Sequence, residues 1–391
     1  MSVSIQNPDI SPSIKIKDYA SHQLGIDLIG ICTAEPLLKA RQDLEEFLRL
    51  GYQGEMNYLE EAEKRTNPDF LLPGVKSVLV IAINYYREKP QTPPDQGRIA
   101  RYAWGRDYHK VLRKVLKDLQ KYLEQEWPDH QHKICVDSAP LMEKAFAERA
   151  GLGFYGKNTT LINPKIGSFI LLGEILTTLP LQPDIPSSNI TTATCGTCTR
   201  CLDACPTQAL IAPEKYHGPR MDARRCISYI TIESKSPIPE EFAEATGNLI
   251  AGCDICQEVC PYNKAFAKPL AFAPLQAVRI AGDSIPLEDI LRLQNTEQYL
   301  ARFAGSPLMR PKRHGLVKNA LNAAHNAIKK DPSKYGPQFL PLIHTIAESD
   351  QSPELRDMAE KVLEKLQIRP TQSPPPTPHY PPSPEVYPHR Q

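Results

Sequence analysis

No stretch of the 391-residue chain approaches the roughly 18 consecutive apolar residues of a membrane-crossing helix. Its start, Met1-Ser-Val-Ser-Ile-Gln-Asn7, has neither a basic run nor paired arginines, so the expected location is cytoplasmic and no membrane partner is expected. Net charge is almost absent too: a formal +1 removes overall charge as an argument for a nucleic-acid partner, and only a local basic patch could make that case. No complete G-x-x-x-x-G-K-[ST] phosphate loop occurs. Gly151-Leu-Gly153-Phe-Tyr-Gly156 matches G-x-G-x-x-G, but it ends an expected helix and leads toward a strand, the reverse of a dinucleotide site. These glycines read more simply as a helix cap and a tight turn.

Cysteine is what the chain does have, and eight of its ten fall into a pattern. The run Cys195-x-x-Cys198-x-x-Cys201-x-x-x-Cys205-Pro206 has the spacing of a bacterial ferredoxin motif, in which three thiolates hold one 4Fe-4S cluster and the fourth ligates the other. The run Cys253-x-x-Cys256-x-x-x-Cys260-Pro261 lacks one ligand, because Ile250 stands where the further Cys would be. Cys226 is the nearby thiol that can complete it. The expected sets are therefore Cys195, Cys198, Cys201 and Cys260 for one cluster, and Cys205, Cys226, Cys253 and Cys256 for the other. Zinc and disulfides are the competing readings, but zinc has no need of the crossed Cys-Pro ends, and disulfides suit secreted chains. Cys32 and Cys135 sit in apolar runs and read as buried, inert thiols.

Around this block the periodicity changes three times. Up to about residue 185, apolar runs at Ile26–Ile31, Ser77–Asn84, His132–Val136 and Phe169–Leu176 predict buried strands, and helical patterns alternate with them. The clearest helix follows Asp107, where Val111, Leu112, Val115, Leu116, Leu119 and Leu123 form one face; another is expected from about Pro140 to Ala150. This is an α/β pattern. A Pro-, Ser- and Thr-rich linker over roughly 180–193 leads into a ferredoxin-like segment, taken as 186–275, ordered by its clusters rather than by a large core. Residues 276–369 read as successive short helices of HEAT-like type. There Val317, Leu321, Ala324 and Ile328 share a face, and Ser352-Pro353-Glu354 forms a helix start. The Pro-rich tail 370–391 has little to bury and is expected to be disordered.

Two further features carry chemistry. Asp137 lies between a strand and a helix, where a turn or helix-entry role is the ordinary explanation. Arg310-Pro-Lys312-Arg313-His314 enters a helix, with Lys318 one turn further on, and so puts positive charge at the positive end of the helix dipole. A solvated face is the ordinary reading of such a run; an anionic partner, phosphate above all, is the functional one.

Several longer stretches complete the pattern: Arg101-Tyr-Ala-Trp-Gly-Arg-Asp-Tyr-His109, Val136-Asp137-Ser-Ala-Pro140, Arg149 to Asn158, Gly167-Ser168 with Leu172-Gly-Glu174, Cys226 to Glu233, Gly252 to Pro261 and Arg310 to Asn319. Together they resemble the epoxyqueuosine reductase family over all but the termini. The resemblance implies a cobalamin in the α/β domain beside one cluster, and reduction of epoxyqueuosine to queuosine at the wobble position of tRNA, the last step of queuosine synthesis. It implies Asp137 as proton donor, which at neutral pH would need a raised pKa. Arg65, Asp137, Lys157, Asn158, Ser168, Thr207 and Ser228 are the implied cofactor contacts; Arg310, Lys312, Arg313 and Lys318 are the expected tRNA contacts. The implied partners are the modified tRNA and an external low-potential electron donor, with the chain itself a monomer. Asp107-x-His109 is similar to the start of a cobalamin motif in which a His binds cobalt, but the Gly due three residues after the His is Leu112. Some family members carry a Cys near the substrate face of the cofactor; Arg98-Ile-Ala-Arg-Tyr102 has none. A cobalamin-dependent dehalogenase and a two-cluster electron carrier are the alternative functions that these motifs leave open.

Overall fold

The computed structural model describes residues 11–26, 28–212, 220–266, 269, 271–276 and 281–367; the expected disordered tail lies outside them. The first region is built on a four-stranded sheet in the order Leu28–Thr33, Ser77–Asn84, Ile170–Thr177, His132–Cys135. All its pairings are antiparallel. The apolar runs report burial on both faces but carry no information on strand direction. Ser77 pairs with both Thr33 and Thr177, so 34–76 returns the chain to the end of the sheet that it left, whereas 85–131, with helix Tyr108–Glu126, crosses to the opposite end, where His132 pairs with Thr177.

The two faces are covered by different helices. Leu79, Ile81 and Ile83 pack with Ile16 and Ala20 of helix Pro12–Leu24 and with Leu112, Leu116, Leu119 and Leu123 of helix Tyr108–Glu126. Val78, Val80 and Ala82 pack on the opposite face with Ala145, Phe146 and Ala147 of helix Glu143–Arg149. That helix starts later than expected, because 136–142 form the loop that carries Asp137. Gly151, at φ +72°, ends the helical segment in the left-handed conformation that glycine tolerates, and Phe154–Tyr155 then pairs with Leu161–Ile162. The G-x-G-x-x-G stretch is thus a helix end and hairpin, as its place in the chain suggests.

The three regions are not independent bodies. Strand Gln96–Ile99 of the first region pairs in parallel with Leu249–Ala251 of the cysteine-bearing region and antiparallel with Ser284–Pro286, which opens the helical region. One apolar core runs through this junction, from Ile99 and Trp104 through Ile250 to Ile290, Phe303, Leu316 and Phe339. The helical region ends in helices Lys312–Lys330, Pro332–Ser349 and Pro353–Lys365, joined by short turns. Val317, Leu321, Ala324 and Ile328 are all buried, and the Ser352 side chain accepts the backbone N–H of Leu355 at 3.3 Å, as its capping position predicts.

Charged groups fasten this region from within. Arg313 is buried, donates from Nε to the Leu293 carbonyl at 2.7 Å and pairs with buried Asp350. Removing the carboxylate leaves a buried cation without its counter-charge, so Asp350→Ala is expected to lower stability by about 3–5 kcal/mol in chemical denaturation. A loss under ~1 kcal/mol would mean that the pair is solvated.

Candidate active site

The two cysteine groups are brought together by the packing of helix Arg200–Ala204 on helix Ile255–Glu258. Members of each expected set lie near one another, and the two sets meet where Cys256 also feels Cys201. Cys201 and Cys260 feel Cys195, and Cys260 also feels Cys198; Cys226 and Cys253 feel Cys205, while Cys256 feels Cys253 and Cys226. Burial pushes Cys201 up to about 11 and Cys253 up to about 12, so binding iron would displace protons from them. Backbone N–H groups already point at two sulfurs: Lys157 N to Cys195 at 3.4 Å and Ala209 N to Cys205 at 3.3 Å. Such bonds stabilise thiolate charge and tune cluster potential. Cys32 and Cys135 are buried elsewhere, and burial pushes each up to about 12, as expected of inert thiols.

A cavity of about 1570 Å³ opens beside the second set, well above the roughly 300–1,000 Å³ of ordinary small-molecule sites. Cys205, Cys226, Cys253 and Cys256 all line it, whereas none of Cys195, Cys198, Cys201 and Cys260 does. Of the expected cofactor contacts, Arg65, Asp137, Asn158, Thr207 and Ser228 are on its wall. Lys157 and Ser168 are not among the lining residues. Lys157 instead belongs to the first cysteine set, its Nζ donating to the Gly196 carbonyl at 2.9 Å, and Ser168 is buried among Gln257 and Asn263. Asn158 is buried with its Nδ2 donor unpartnered, while its Oδ1 accepts the Thr160 hydroxyl at 2.8 Å. A large polar ligand would satisfy that donor.

Asp137 reaches the cavity from a strained turn, at φ +35°. Its Oδ2 lies 2.6 Å from His109 Nε2, and His109 Nδ1 lies 2.6 Å from Asp107 Oδ1. The Asp137 backbone N–H donates to Glu143. Burial disfavours the charged imidazole, but the hydrogen bonds and charges of Asp107 and Asp137 outweigh it and hold His109 up to about 9. Burial likewise favours neutral Asp137, yet His109, Tyr108 and Arg310 together hold it below its ordinary range. The raised pKa that a protonated Asp137 would need is not supplied by the protein's own groups: they favour its carboxylate and leave a shared proton mainly on His109. Sequence reasoning met Asp107-x-His109 only as a rejected cobalt-binding motif. Its real signal was an acid and a His at the start of a helix that faces the site.

The basic entry divides in two. Arg313 is used internally, and Lys318 is buried with its Nζ donating to the carbonyls of Ile230, Ser234 and Ser236 at 3.0, 2.7 and 3.0 Å. Both are therefore structural, contrary to their expected place at the tRNA; the dipole argument placed the charges at a helix start but could not see which side was covered. Lys312 is exposed, and Arg310 lines the cavity beside Tyr58, held by Glu233 at 2.9 and 2.7 Å.

The family comparisons point the same way. Residues 65–138 match the family described as "Epoxyqueuosine reductase QueG, DUF1730", and 194–263 match the "4Fe-4S double cluster binding domain". An epoxyqueuosine reductase of Synechocystis sp. is 43% identical over 284 residues, covering 72% of this chain and 94% of the relative. The chain belongs to the epoxyqueuosine reductase family. Among solved structures, the Bacillus subtilis epoxyqueuosine reductase, with its Asp-bearing catalytic loop swung out of the active site, matches with TM-score 0.78 at 31% identity, covering 90% of each chain. An epoxyqueuosine reductase with an epoxyqueuosine-modified tRNA-Tyr stem loop matches with TM-score 0.77 at 31% identity, covering 92% of this chain and 95% of the other.

Two outcomes follow from this geometry. Cys226→Ala should cut iron from roughly eight to roughly four atoms per chain, sparing the first cluster; unchanged iron and spectra would remove Cys226 from the ligand set. Because the folded His109 pKa is raised from 6.5 to about 9, the stability that it contributes is complete below about 6.5 and is lost as pH rises through about 9. The Tm difference between the parent and His109→Gln should shrink across that window, and a gap independent of pH would show that the imidazole is held by packing alone.

Proposed function

We propose that this chain reduces epoxyqueuosine to queuosine at the wobble position of tRNA, with Asp137 as the group that protonates the leaving oxygen. The carrying observation is that one cavity is walled both by the second cysteine set and by the Asp137–His109 pair. Electrons and protons would thus arrive at the same place. Membership of the family supports this substrate, as does the related structure with a modified stem loop.

The cavity's volume, its cluster-side wall and the unpartnered Asn158 donor suit cobalamin. We assign Asn158, Thr207, Ser228 and Arg65 to hold it. When bound, cobalamin supplies a strongly reducing low-valent cobalt within reach of the adjacent cluster. The first cysteine set, away from the cavity, would take electrons from an external low-potential donor, and the second would pass them inward.

The protein's own part is proton handling and positioning. His109, oriented by Asp107, passes the proton that they share to Asp137 across their short hydrogen bond, and Asp137 delivers it to the epoxide oxygen. Arg310 at the cavity, with exposed Lys312 nearby in sequence, is our proposed phosphate contact, holding the RNA backbone without reading bases. The stretch Arg98–Tyr102 lacks the Cys of some family members, so the proposed reaction does not depend on that thiol. Among the described residues no helix is long and apolar enough to cross a membrane; a cytoplasmic monomer is the working form that we propose.

The test is single-turnover conversion of an epoxyqueuosine-bearing stem loop by the anaerobically reduced protein. Asp137→Asn should bind the stem loop and retain both clusters but lose ~100-fold or more in rate. Near-parental turnover would take Asp137 out of the reaction.

A further inference from the structure

Opening the epoxide to an alkene breaks two C–O bonds, forms one C=C bond and releases the oxygen as water. That takes two electrons, from the external donor through the clusters, and two protons. The Asp137–His109 pair accounts for one proton. Its environment contains a second acidic device that the steps above do not use.

Glu174 stands in the middle of the apolar strand Ile170–Thr177, fully buried, and pairs in register with Cys135, two residues before Asp137. No N–H or hydroxyl donor among the described residues reaches either of its carboxyl oxygens, and the group hydrogen-bonded to it is the Glu143 carboxyl. The acidic groups that bear on it are Glu143 and Asp137; the thiols of Cys32 and Cys135 also border it. No cation is paired with it: His109 and Arg310 act on Asp137, and His109 and Lys144 act on Glu143, Lys144 donating to the Thr159 carbonyl at 2.8 Å. An ionised carboxylate at Glu174 would be an uncompensated buried charge, which costs several kcal/mol; the group is therefore a neutral acid. Glu143 bridges outward from it. Glu143 lies against Glu174, accepts the backbone N–H of Asp137 and lines the cavity. Burial and the charge of Asp137 outweigh the Asp137 backbone N–H and the charges of His109 and Lys144 and raise Glu143 to about 7, so it changes protonation near neutral pH.

We propose that Glu174 and Glu143 form a buried proton store that recharges Asp137 for the second protonation of the leaving oxygen. The inference rests on the reductase reading. After the first proton leaves through Asp137, Glu143 passes its proton to the Asp137 carboxylate and Glu174 shares its own with Glu143. The pair then carries one negative charge until solvent refills it through the cavity. Neither glutamate touches the substrate; both are positioning residues that act through Asp137.

The experiment uses the full chain with clusters and cobalamin, as parent, Glu174→Gln and Glu143→Gln. Infrared spectra at neutral pH should contain a carboxylic-acid C=O band in the parent that shifts in D₂O and disappears in Glu174→Gln. Single-turnover rates of Glu174→Gln should match the parent at acid pH, where solvent protons suffice, and fall ~10-fold behind it near neutral pH, where Glu143 still holds its proton, within the usual worth of positioned proton transfer; Glu143→Gln should show the same gap, closing again as pH rises well above about 7. A parent without the acid band overturns the proposal even if a variant folds poorly, as do variants whose pH profiles equal that of an active parent. A parent that converts no epoxyqueuosine sinks the reductase reading, and this role with it.

Discussion

Everything at the active site depends on the strand Gln96–Ile99. It carries no catalytic residue, yet its parallel pairing with Leu249–Ala251 sets the segment just before Cys253 and Cys256 against the first region, and its antiparallel pairing with Ser284–Pro286 brings in the helical region. Just beyond its end, Arg101 is buried over Phe169 and pairs with Asp254, which directly follows Cys253, at 2.9 Å. Lys318 and Asn319 secure the far side by donating to the carbonyls of Ile230, Thr231 and Ile250. Thiols from distant parts of the chain are thereby held at one cavity. Such buried polar contacts are costly unless fully satisfied, and here the donors meet several acceptors each.

That rigidity gives the acidic groups their different roles. Asp107, His109, Asp137, Glu143 and Glu174 gather at the cavity and behind it, and their charge states are set by neighbours rather than by residue type. Asp107 and Asp137 are kept ionised by His109, and Glu174 is kept neutral by burial and by the neighbouring carboxyls of Glu143 and Asp137. A site that must deliver protons while electrons arrive needs acids that stay loaded at neutral pH. Environments that separate neighbouring pKa values provide this.

Much of this was legible in the sequence. Cysteine spacing defined both ligand sets because iron–sulfur geometry fixes the separation of ligands along the chain, and Cys226 was identified because the second run was one thiol short. Apolar periodicity located the strands and the helix after Asp107, since burial follows side-chain spacing directly. Strand direction was not legible: Val78 to Ile83 would read alike in a parallel or an antiparallel sheet covered on both faces. Nor were the fates of Arg313 and Lys318, because a basic run at a helix start looks the same whether it faces solvent or a neighbouring carboxylate. The site of Asp137 was recognised by resemblance, but its ionisation followed from His109, 28 residues away, and only the fold brings the two together. Glu174 left one signal that went unused, a lone acid within an apolar strand.

The central claim is that the second cysteine set, and not the first, forms the wall against which the cofactor sits. Electron paramagnetic resonance of the anaerobic protein carrying both clusters and Co(II) cobalamin tests it most directly. Reducing the clusters should broaden or split the cobalt signal through spin coupling, and Cys226→Ala should abolish that coupling while a first-set reduced-cluster signal remains. A cobalt signal that is indifferent to cluster reduction, or a coupling that survives in Cys226→Ala, would contradict the account.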